Sequence, residues 1–232
     1  MKCTAFLDLL FPPRCLSCLA FLSRDDGMCA ACAITIPVHR SFFCGVCHAR
    51  LPSPTSICHK QSPFALGAAT DYDVEAVQNL IHRMKFESVK SGAVFLGYLV
   101  AHYLRFVSED IPADLIVPIP LSSRRFKERG FNQAELISKV VSDRFLVPME
   151  TNVLKRTRES RPQSSLESYE LREENIRGCF EVNEGVLVCN KRILLVDDVF
   201  TSGATAREAA RVLKLAGAKK IIVVAAAAAR KS

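Results

Sequence analysis

The sequence predicts an α/β domain built on a mostly parallel sheet and preceded by a small cysteine-rich, zinc-binding module. Eight of the ten cysteines lie before residue 60, helix and strand patterns alternate after it, and the chain ends in a strand–helix–strand pattern. The 232 residues, 49% of them hydrophobic, can bury a sizeable core. With 10 Gly and 11 Pro, the composition excludes collagen-like and low-complexity chains.

Charge and apolar runs bear on partners and location. The formal net charge of +7 favours anionic ligands such as phosphates, pyrophosphate or nucleic acid. The first apolar run contains Asp8, and Pro12, Pro13 and Arg14 stand where a signal peptide needs small residues. The longest apolar run, 221–229, is too short for a helix across about 30 Å of hydrocarbon. We therefore predict a cytoplasmic protein that does not insert into a membrane.

The cysteines recur in C-x-x-C pairs. Their leading members follow one another at steps of 14, 15 and 14 residues, at Cys15, Cys29, Cys44 and Cys58. In a reducing compartment such pairs hold metal more often than disulfides, and two pairs supply the four thiolates that tetrahedral zinc prefers. The first two pairs predict a structural zinc site formed by Cys15, Cys18, Cys29 and Cys32.

A second zinc site lacks one cysteine. The period predicts a cysteine at position 61, where the chain has Gln61. Either His59 or His48 can complete the set begun by Cys44, Cys47 and Cys58. The alternatives are a decayed site with buried thiols and a cross-braced pairing of the first pair with the third. We expect one or two structural zinc ions in a module over residues 1–62, followed by a domain over 63–232.

The first half of the domain predicts a strand, two helices and a second strand. The first strand covers 65–72, and Asp73 can cap a helix whose apolar positions share one face, namely Val74, Val77, Leu80, Ile81 and Met84. A second helix covers 91–107. The short buried strand over 115–119 then ends in Pro-Ile-Pro.

The second half ends in the clearest pattern of the chain. A helix over 132–145 has four inward positions, Ala134, Ile137, Val140 and Val141. The charged segment 155–177 predicts a mobile loop and a polar helix. A strand over 193–196, a helix over 204–216 and a strand over 221–229 then form a β-α-β unit. In such a sheet the ligand lies at the carboxyl ends of the strands.

Two adjacent carboxylates and an anion cradle meet at the end of the 193–196 strand. Asp197 and Asp198 follow the strand, and the next helix starts within the run Thr201, Ser202, Gly203, Ala204 and Thr205. Helix-start N–H groups and hydroxyls bind phosphate, and Gly203 allows close backbone approach. The neighbouring carboxylates suit the hydroxyls of a sugar. Ribose 5-phosphate therefore fits both the carboxylates and the anion cradle. The absence of G-x-x-x-x-G-K-[ST] and G-x-G-x-x-G removes the main support for ATPase and dinucleotide-binding functions.

The string VDDVFTSGAT, residues 196–205, resembles the phosphoribosyl pyrophosphate (PRPP) motif of type I phosphoribosyltransferases. The resemblance implies a protein that binds PRPP with Mg²⁺ and exchanges its pyrophosphate for a nucleophile. Asp197 and Asp198 would be the catalytic carboxylates. Charge develops on the ribose ring in such a transfer, so neutralising the departing pyrophosphate would be the main contribution to catalysis.

Three further segments resemble the ComF family of competence-associated, phosphoribosyltransferase-like proteins. They are the cysteine module, VPIPLSSRRFKERGFNQAELI at 117–137 and LKRTRESRPQSSLESYELREENIRGCFEV at 154–182. The resemblance implies that a pyrophosphate loop with its anion ligands comprises Pro120, Leu121, Ser122, Arg124 and Arg129, and that Lys85 joins the site. It also implies a hood over the acceptor side with Arg156, Arg158, Gln163 and Arg172. We assign Arg125, Lys127 and Arg161 to a solvated face.

The resemblance implies a PRPP-binding phosphoribosyltransferase with a role in natural competence, where it would handle or use incoming DNA. PRPP, single-stranded DNA and the DNA-uptake machinery are the expected partners, and the acceptor stays open. One alternative is a binding protein that senses PRPP or holds single-stranded DNA without turnover. Another is a purine-salvage phosphoribosyltransferase.

Overall fold

The computed structural model describes residues 12–56, 58–59, 62–108, 113–158 and 174–229. The elements named in this article are, in chain order, α1 (Ala30–Ala33), β1 (Phe42–Cys44), β2 (Arg50–Leu51), β3 (Ala65–Asp71), α2 (Glu75–Phe86), α3 (Lys90–Val107), β4 (Leu115–Pro118), α4 (Ser123–Arg129), α5 (Gln133–Phe145), β5 (Leu154–Arg156), β6 (Phe180–Val182), β7 (Arg192–Phe200), α6 (Ala204–Leu215) and β8 (Lys220–Ala228). Within the described ranges, no helix has both the length and the apolar character that a bilayer crossing requires.

The main sheet has six strands in the order β2-β1-β3-β8-β7-β4. Strands β3, β8, β7 and β4 pair in parallel, with Val196 opposite Val224 and Phe200 opposite Ala228. Their apolar residues are buried on both faces, as parallel strands require. The predicted α/β class with a mostly parallel sheet is confirmed, and the β7-α6-β8 unit is the predicted β-α-β ending.

The cysteine-rich module contributes the edge of this sheet. Strands β1 and β2 form an antiparallel hairpin, and β1 pairs antiparallel with β3 through Phe43 opposite Leu66 and Cys44 opposite Ala65. The earlier part of the module packs on a helical face, where Leu16 and Met28 join the buried cluster of Leu80. The module therefore shares both a sheet and a core with the rest of the chain.

Helices cover both faces of the sheet. The buried sides of α2, α3 and α5 pack on one face, with Leu80, Leu96 and Ile137 in a single cluster. Helix α6 covers the other face through Ala209 and Leu213, where it meets β6 and the opposite side of the parallel strands. These two layers fix the loops that follow each parallel strand at the same end of the sheet.

Several local expectations differ from the structure. The N-cap of α2 is Val74, which makes no side-chain cap bond, so the predicted cap at Asp73 was wrong. Val74 packs against the core, and this burial anchors the helix start without a polar cap.

Helix α4 was not predicted, although the Ser122 hydroxyl caps it by accepting from the Arg125 N–H. Strands β5 and β6 were missed because each has three residues and its partner lies far along the chain. Most of the predicted loop and polar helix, residues 159–173, lies outside the described residues.

Candidate functional site

A cleft of about 320 Å³ opens at the carboxyl ends of β3, β4, β7 and β8. Its walls include Tyr72 after β3, Pro120 and Leu121 after β4, Thr201 after β7 and Ala229 after β8. The parallel topology brings these positions together because every strand of the four runs in the same direction. The cleft is therefore the site at which the sequence predicts a ligand.

Asp197 and Asp198 lie on the floor of this cleft, inside β7 rather than after it. Pairing with β8 continues to Phe200, so the strand holds both aspartates rigidly. The Asp198 N–H donates to Asp197 Oδ1 at 2.9 Å, and the Val199 N–H donates to Asp198 Oδ1 at 2.8 Å. These bonds fix both carboxylates and leave their other oxygens directed to the cleft or to side chains.

Lys85 completes this floor from the last turn of α2. Its Nζ lies 2.8 Å from Asp198 Oδ2, and both side chains are largely shielded from solvent, with exposures of 23% and 14%. The geometry pairs only one of the two aspartates with a cation. Asp197 therefore remains the less compensated carboxylate of the floor.

The two carboxyls differ in acidity for this reason. Burial and the neighbouring Asp198 charge raise the pKa of Asp197 to about 7. Burial acts on Asp198 in the same direction, but the Lys85 ammonium, followed by Arg129, outweighs it and holds the pKa of Asp198 below its ordinary value. At neutral pH Asp198 is therefore ionised, whereas Asp197 is partly protonated.

The predicted anion cradle covers the start of α6. Thr201 and Thr205 line the cleft, whereas the Ser202 side chain is buried and its Oγ accepts from the Ala204 N–H at 3.4 Å. Gly203 is the N-cap with a φ of 74°. A Cβ at this position would stand 2.4 Å from the Phe200 ring, so both conformation and space require glycine.

The Arg-Gly-Phe-Asn-Gln string at 129–133 joins two helices and faces the cleft at both ends. Gly130 ends α4 in the left-handed conformation, and buried Phe131 anchors the turn. Asn132 caps α5 by accepting from the Ala134 N–H, while its Nδ2 donates to the Ile119 carbonyl.

The two ends of this string are paired. Arg129 Nη1 donates to Gln133 Oε1 at 3.2 Å, and both side chains line the cleft. Burial lowers the pKa of the Arg129 guanidinium, and the negative charge of Asp198 partly offsets this effect by favouring the charged form. The Gln133 amide nitrogen is buried and has no hydrogen-bond partner among the described residues. An unsatisfied buried donor is costly, so this end of the cleft suits an anionic or carbonyl acceptor.

Helix α4 decides which arginines face the cleft. Arg125 and Arg129 stand four residues apart on one side and both line it. Arg124 lies on another side, 71% exposed and 2.8 Å from Glu128. Arg125, expected on a solvated face, therefore lies in the cleft, whereas Arg124, expected in the site, lies outside it. The Ser122 cap could have revealed this helix and its phase.

The hood candidates are only partly described. Arg156 lines the cleft and lies over the Phe180 ring at 5.4 Å. Arg158 is exposed and donates to the Arg177 carbonyl. Gln163 and Arg172 lie outside the described residues.

The module holds two metal-binding clusters. In the first, the ligand atoms of Cys15, Cys18, Cys29 and Cys32 lie within 4.8 Å of one another, with 3.7 Å between the sulfurs of Cys18 and Cys29. A tetrahedral zinc ion with Zn–S bonds of about 2.3 Å needs sulfurs roughly 3.8 Å apart. The donor set and spacing therefore fit structural zinc.

The second cluster is Cys44, Cys47, Cys58 and His59, again within 4.8 Å. The sulfurs of Cys47 and Cys58 are 3.6 Å apart, and His59 Nδ1 is 3.4 Å from the Cys44 sulfur. His59 is the fourth member of this cluster, while the His48 ring packs against Phe200 instead. Neighbouring pairs along the chain form each cluster, so the cross-braced alternative is excluded. Gln61 lies outside the described residues.

Comparison with known proteins agrees with this architecture. The double zinc ribbon domain family matches residues 6–62, and the phosphoribosyl transferase domain family matches residues 132–232. The fold is thus the type I phosphoribosyltransferase fold, preceded by a double zinc ribbon.

Full-length relatives are also found. Competence protein F of Haemophilus influenzae is 29% identical over 223 residues, which cover 90% of this chain and 94% of the relative. DNA utilization protein YhgH of Escherichia coli is 30% identical over 225 residues, which cover 93% and 96%. The chain belongs to the ComF family, which these proteins represent.

Among solved structures, a glutamine PRPP amidotransferase from Bacillus subtilis is similar to part of the chain. The identity is 24% and the TM-score 0.41. The match covers 60% of this chain and 26% of that enzyme, so the chain spans about a quarter of its length.

Proposed function

We propose that the cleft at the carboxyl ends of the sheet binds PRPP with Mg²⁺ and that the protein transfers its phosphoribosyl group to an acceptor. One observation carries the proposal: two largely shielded carboxylates, a helix-start anion cradle and two cleft-facing arginines meet in a single cleft. Few ligands other than a sugar with phosphates at both ends need all three features.

Each feature suits one part of PRPP. Asp197 and Asp198 accept hydrogen bonds from the ribose hydroxyls, and Thr201 and Thr205 with the start of α6 hold the 5-phosphate. The pyrophosphate lies by the loop after β4, whose backbone at Pro120 and Leu121 lines the cleft. Arg125, Arg129 and Lys85 supply the positive charge on that side.

The described residues fit a magnesium ion that arrives with the substrate. The cleft has two carboxylates as hard oxygen ligands, and Asp198 already pairs with Lys85. Mg²⁺ usually keeps several waters and binds through one or two carboxylates plus substrate phosphates. When bound, it neutralises charge on the pyrophosphate.

The transfer is a substitution at the anomeric carbon. The C1–O bond to pyrophosphate breaks and the electron pair leaves with pyrophosphate, while the lone pair of the acceptor forms the new bond at C1. The ring becomes electron-poor in between, and the Asp197 and Asp198 carboxylates below it stabilise that positive charge. Arg125 and Arg129 stabilise the negative charge on the leaving group.

We propose that this chemistry serves natural competence or DNA utilisation, and that DNA and the DNA-uptake machinery are partners. The names of the relatives, competence protein F and DNA utilization protein, support this role. Of the hood candidates, Arg156 lines the cleft and supports a role of this segment beside the bound ligand.

Isothermal titration of the zinc-loaded protein with PRPP and Mg²⁺ tests the proposal. We expect saturable binding that the Asp197→Asn, Asp198→Asn double variant weakens by at least about tenfold, because each charged hydrogen bond is worth about 1.5 to 3 kcal/mol. Lys139→Gln with Asp143→Asn, an exposed pair on α5, is the matched control. Pyrophosphate release in a screen of bases and DNA then separates an enzyme from a PRPP sensor. Undiminished binding by the folded double variant would refute the site.

A second candidate function, binding of single-stranded DNA without turnover, is favoured by a basic cleft at the opposite end of the sheet. Lys214, Lys219 and Lys220 line it, together with Arg192, whose guanidinium is paired with Asp114. Burial, and then the Lys214 charge, lowers the pKa of Lys220, so positive charge is crowded there. If DNA phosphates bind here, affinity must fall steeply with salt, and Lys214→Gln with Lys219→Gln must reduce that slope. PRPP affinity should not change.

A further inference from the structure

A cleft of about 520 Å³ lies between α6 and the segment that leads into β6. Three guanidinium groups and one carboxylate are among the side chains that line it, namely Arg177, Arg207, Arg211 and Glu208. None of these three arginines lines the proposed PRPP cleft, although Ile176 lines both clefts. Positive charge exceeds negative charge among the described lining residues, which favours an anionic ligand.

The carboxylate of this cleft is already saturated by donors of the protein. Glu208 is 6% exposed, its Oε1 accepts from the Gly178 N–H at 2.7 Å, and each of its oxygens accepts from Arg211 at 2.8 Å. The Arg211 guanidinium, followed by the Gly178 N–H, holds the pKa of Glu208 below its ordinary value against the effect of burial. Because these partners compensate its charge, Glu208 orients Arg211 without excluding an anion from the cleft.

Two of the arginines keep donors for a ligand. Arg211 uses Nε and Nη2 for Glu208, whereas its Nη1 donates to no acceptor within the described ranges, and the side chain is 51% exposed. The Arg177 side chain is exposed and makes no ion pair or hydrogen bond in the part of the chain that the structure describes. Each of these guanidinium groups can therefore bind an anion without giving up an existing contact.

The arginines form a cluster around the Glu208 carboxylate. Arg207 stands one turn before Arg211 on α6, and its Nη2 donates to the Ser202 carbonyl at the start of the anion cradle. Arg177 directly precedes Gly178, whose N–H binds Glu208. Donors that surround one point suit a single compact anion with several oxygens.

We propose that this cleft binds the phosphate group of a phosphate monoester, the group found in nucleoside 5′-monophosphates and sugar phosphates. Such a phosphate carries nearly two negative charges near pH 7 and has three terminal oxygens that accept hydrogen bonds. Guanidinium groups match these oxygens in bidentate geometry, and more than one guanidinium is needed to balance the charge. The phosphates of a DNA strand carry one charge each and repeat along the chain, so a single cluster suits them less well.

Isothermal titration of the full-length, zinc-loaded protein with phenyl phosphate tests the proposal. We expect saturable binding with a dissociation constant below about 1 mM, which Arg177→Gln weakens by about tenfold because a hydrogen bond to a charged group is lost. Arg105→Gln, which changes an exposed arginine of α3 on the opposite face of the sheet, is the matched control. Failure of phenyl phosphate to bind, or equal affinity in wild type and Arg177→Gln, would overturn the inference.

Singly charged analogues test the match in charge. Phenyl sulfate has the shape of phenyl phosphate with one negative charge, and dimethyl phosphate is a diester with one negative charge. Both should bind more weakly than phenyl phosphate, because two guanidinium groups then face a single charge. Equal affinity for phenyl sulfate would contradict a site for a phosphate monoester.

Chemical modification locates the phosphate without any variant. Phenylglyoxal modifies accessible arginines, and mass spectrometry of the wild-type protein shows which of them a ligand protects. Phenyl phosphate should protect Arg177 and Arg211 and leave Arg105 reactive. Protection of Arg125 and Arg129 alone would assign the phosphate to the PRPP cleft. Protection of Arg177 and Arg211 by single-stranded DNA without a terminal phosphate, but not by phenyl phosphate, would assign this cleft to DNA. Either result would overturn the inference.

Two natural monoesters distinguish the source of the phosphate. Adenosine 5′-monophosphate and glycerol 3-phosphate are titrated in the same way, and Arg177→Gln should weaken both, because the phosphate is the group they share. The tighter of the two identifies the class of molecule that the cleft takes. The Asp197→Asn, Asp198→Asn variant should bind phenyl phosphate as wild type does, so a failure of the proposed PRPP site does not affect this test.

Discussion

The imidazole ring of His48 meets the ring of Phe200 edge-on, with 5.7 Å between their centroids. His48 follows Cys47 of the second metal-binding cluster, and Phe200 is the last residue of β7. The Phe200 ring also lies over Gly203, at the start of the anion cradle. The second zinc ribbon thus contacts a residue that supports the proposed phosphate site.

This contact predicts that loss of the second zinc weakens PRPP binding. The residue distribution along the chain suggests independent modules, whose sites would change affinity by less than about 1 kcal/mol. Because Phe200 links them, we expect the Cys44→Ser, Cys47→Ser, Cys58→Ser variant to lose more than about 1 kcal/mol of PRPP binding free energy. Titration calorimetry measures the change, with exposed Cys189→Ser as control. Full PRPP affinity in a folded triple variant would show that the contact between His48 and Phe200 does not couple the zinc site to the proposed phosphate site.

Zinc content follows from the two clusters. We expect two zinc ions per chain in protein purified under reducing conditions without chelator, because both ligand sets are complete. Elemental analysis gives the stoichiometry. Cys58→Ser should lower it to one, whereas Cys179→Ser, a buried cysteine outside both clusters, should leave two. A value of one or less in the wild type would contradict the assignment of the second site.

The Lys85–Asp198 pair should contribute to stability as well as binding. Lys85→Met leaves the Asp198 carboxylate shielded and unpaired, which should cost about 2 kcal/mol of unfolding free energy. Arg83→Met removes a more exposed pair with Glu87 on the same helix and should cost less than about 1 kcal/mol. Urea unfolding of both variants measures the difference. Equal losses would mean that shielding of the pair is energetically unimportant.

The raised pKa of Asp197 predicts an unusual pH dependence. The native protein keeps a proton on Asp197 up to about pH 7, whereas the unfolded chain releases it near the ordinary pKa of 3.8. Stability must therefore fall as pH rises between these values. Asp197→Asn, which has no charge to bury, should gain stability relative to wild type across this window, by more than about 1 kcal/mol above pH 7.

Asp198 supplies the opposite control. Its pKa is lowered, so its ionised form adds stability above the unfolded pKa and loses it in acid. Asp198→Asn should therefore cost stability at neutral pH and little in acid. Unfolding curves of both variants at several pH values, without ligand, distinguish them. Parallel pH profiles for the two variants would overturn the assigned acidities.

Gly203 requires glycine for two reasons, its positive φ and the lack of space for a Cβ, whereas Gly185 requires it only for its positive φ. Both have positive φ, 74° and 87°, but an added Cβ clashes with Phe200 at Gly203 and meets nothing within 4 Å at Gly185. Gly185→Ala should cost about 1 to 2 kcal/mol through backbone strain alone. Gly203→Ala should cost more and abolish PRPP binding. Thermal unfolding with PRPP titration tests this pair, and equal stability losses would argue against the close contact.

Short-range patterns in the sequence determined the zinc clusters, the β-α-β ending and the aspartate–cradle motif. In each of these the interacting residues are neighbours or lie one period apart, so spacing alone constrains their geometry. The choice between His59 and His48 as the fourth member of the second cluster, however, needed the tertiary structure. Each histidine directly follows a cysteine of the cluster, Cys58 or Cys47, so the spacing does not distinguish them.

The tertiary structure alone decided which side chains share the cleft. Lys85 reaches Asp198 only because the last turn of α2 lies beside the end of β7. The addition of the β1–β2 hairpin to β3 also depends on pairing between distant segments. Strand order and the placement of each helix on the sheet come from long-range packing, and a local pattern in one segment carries no record of the segment it will pack against.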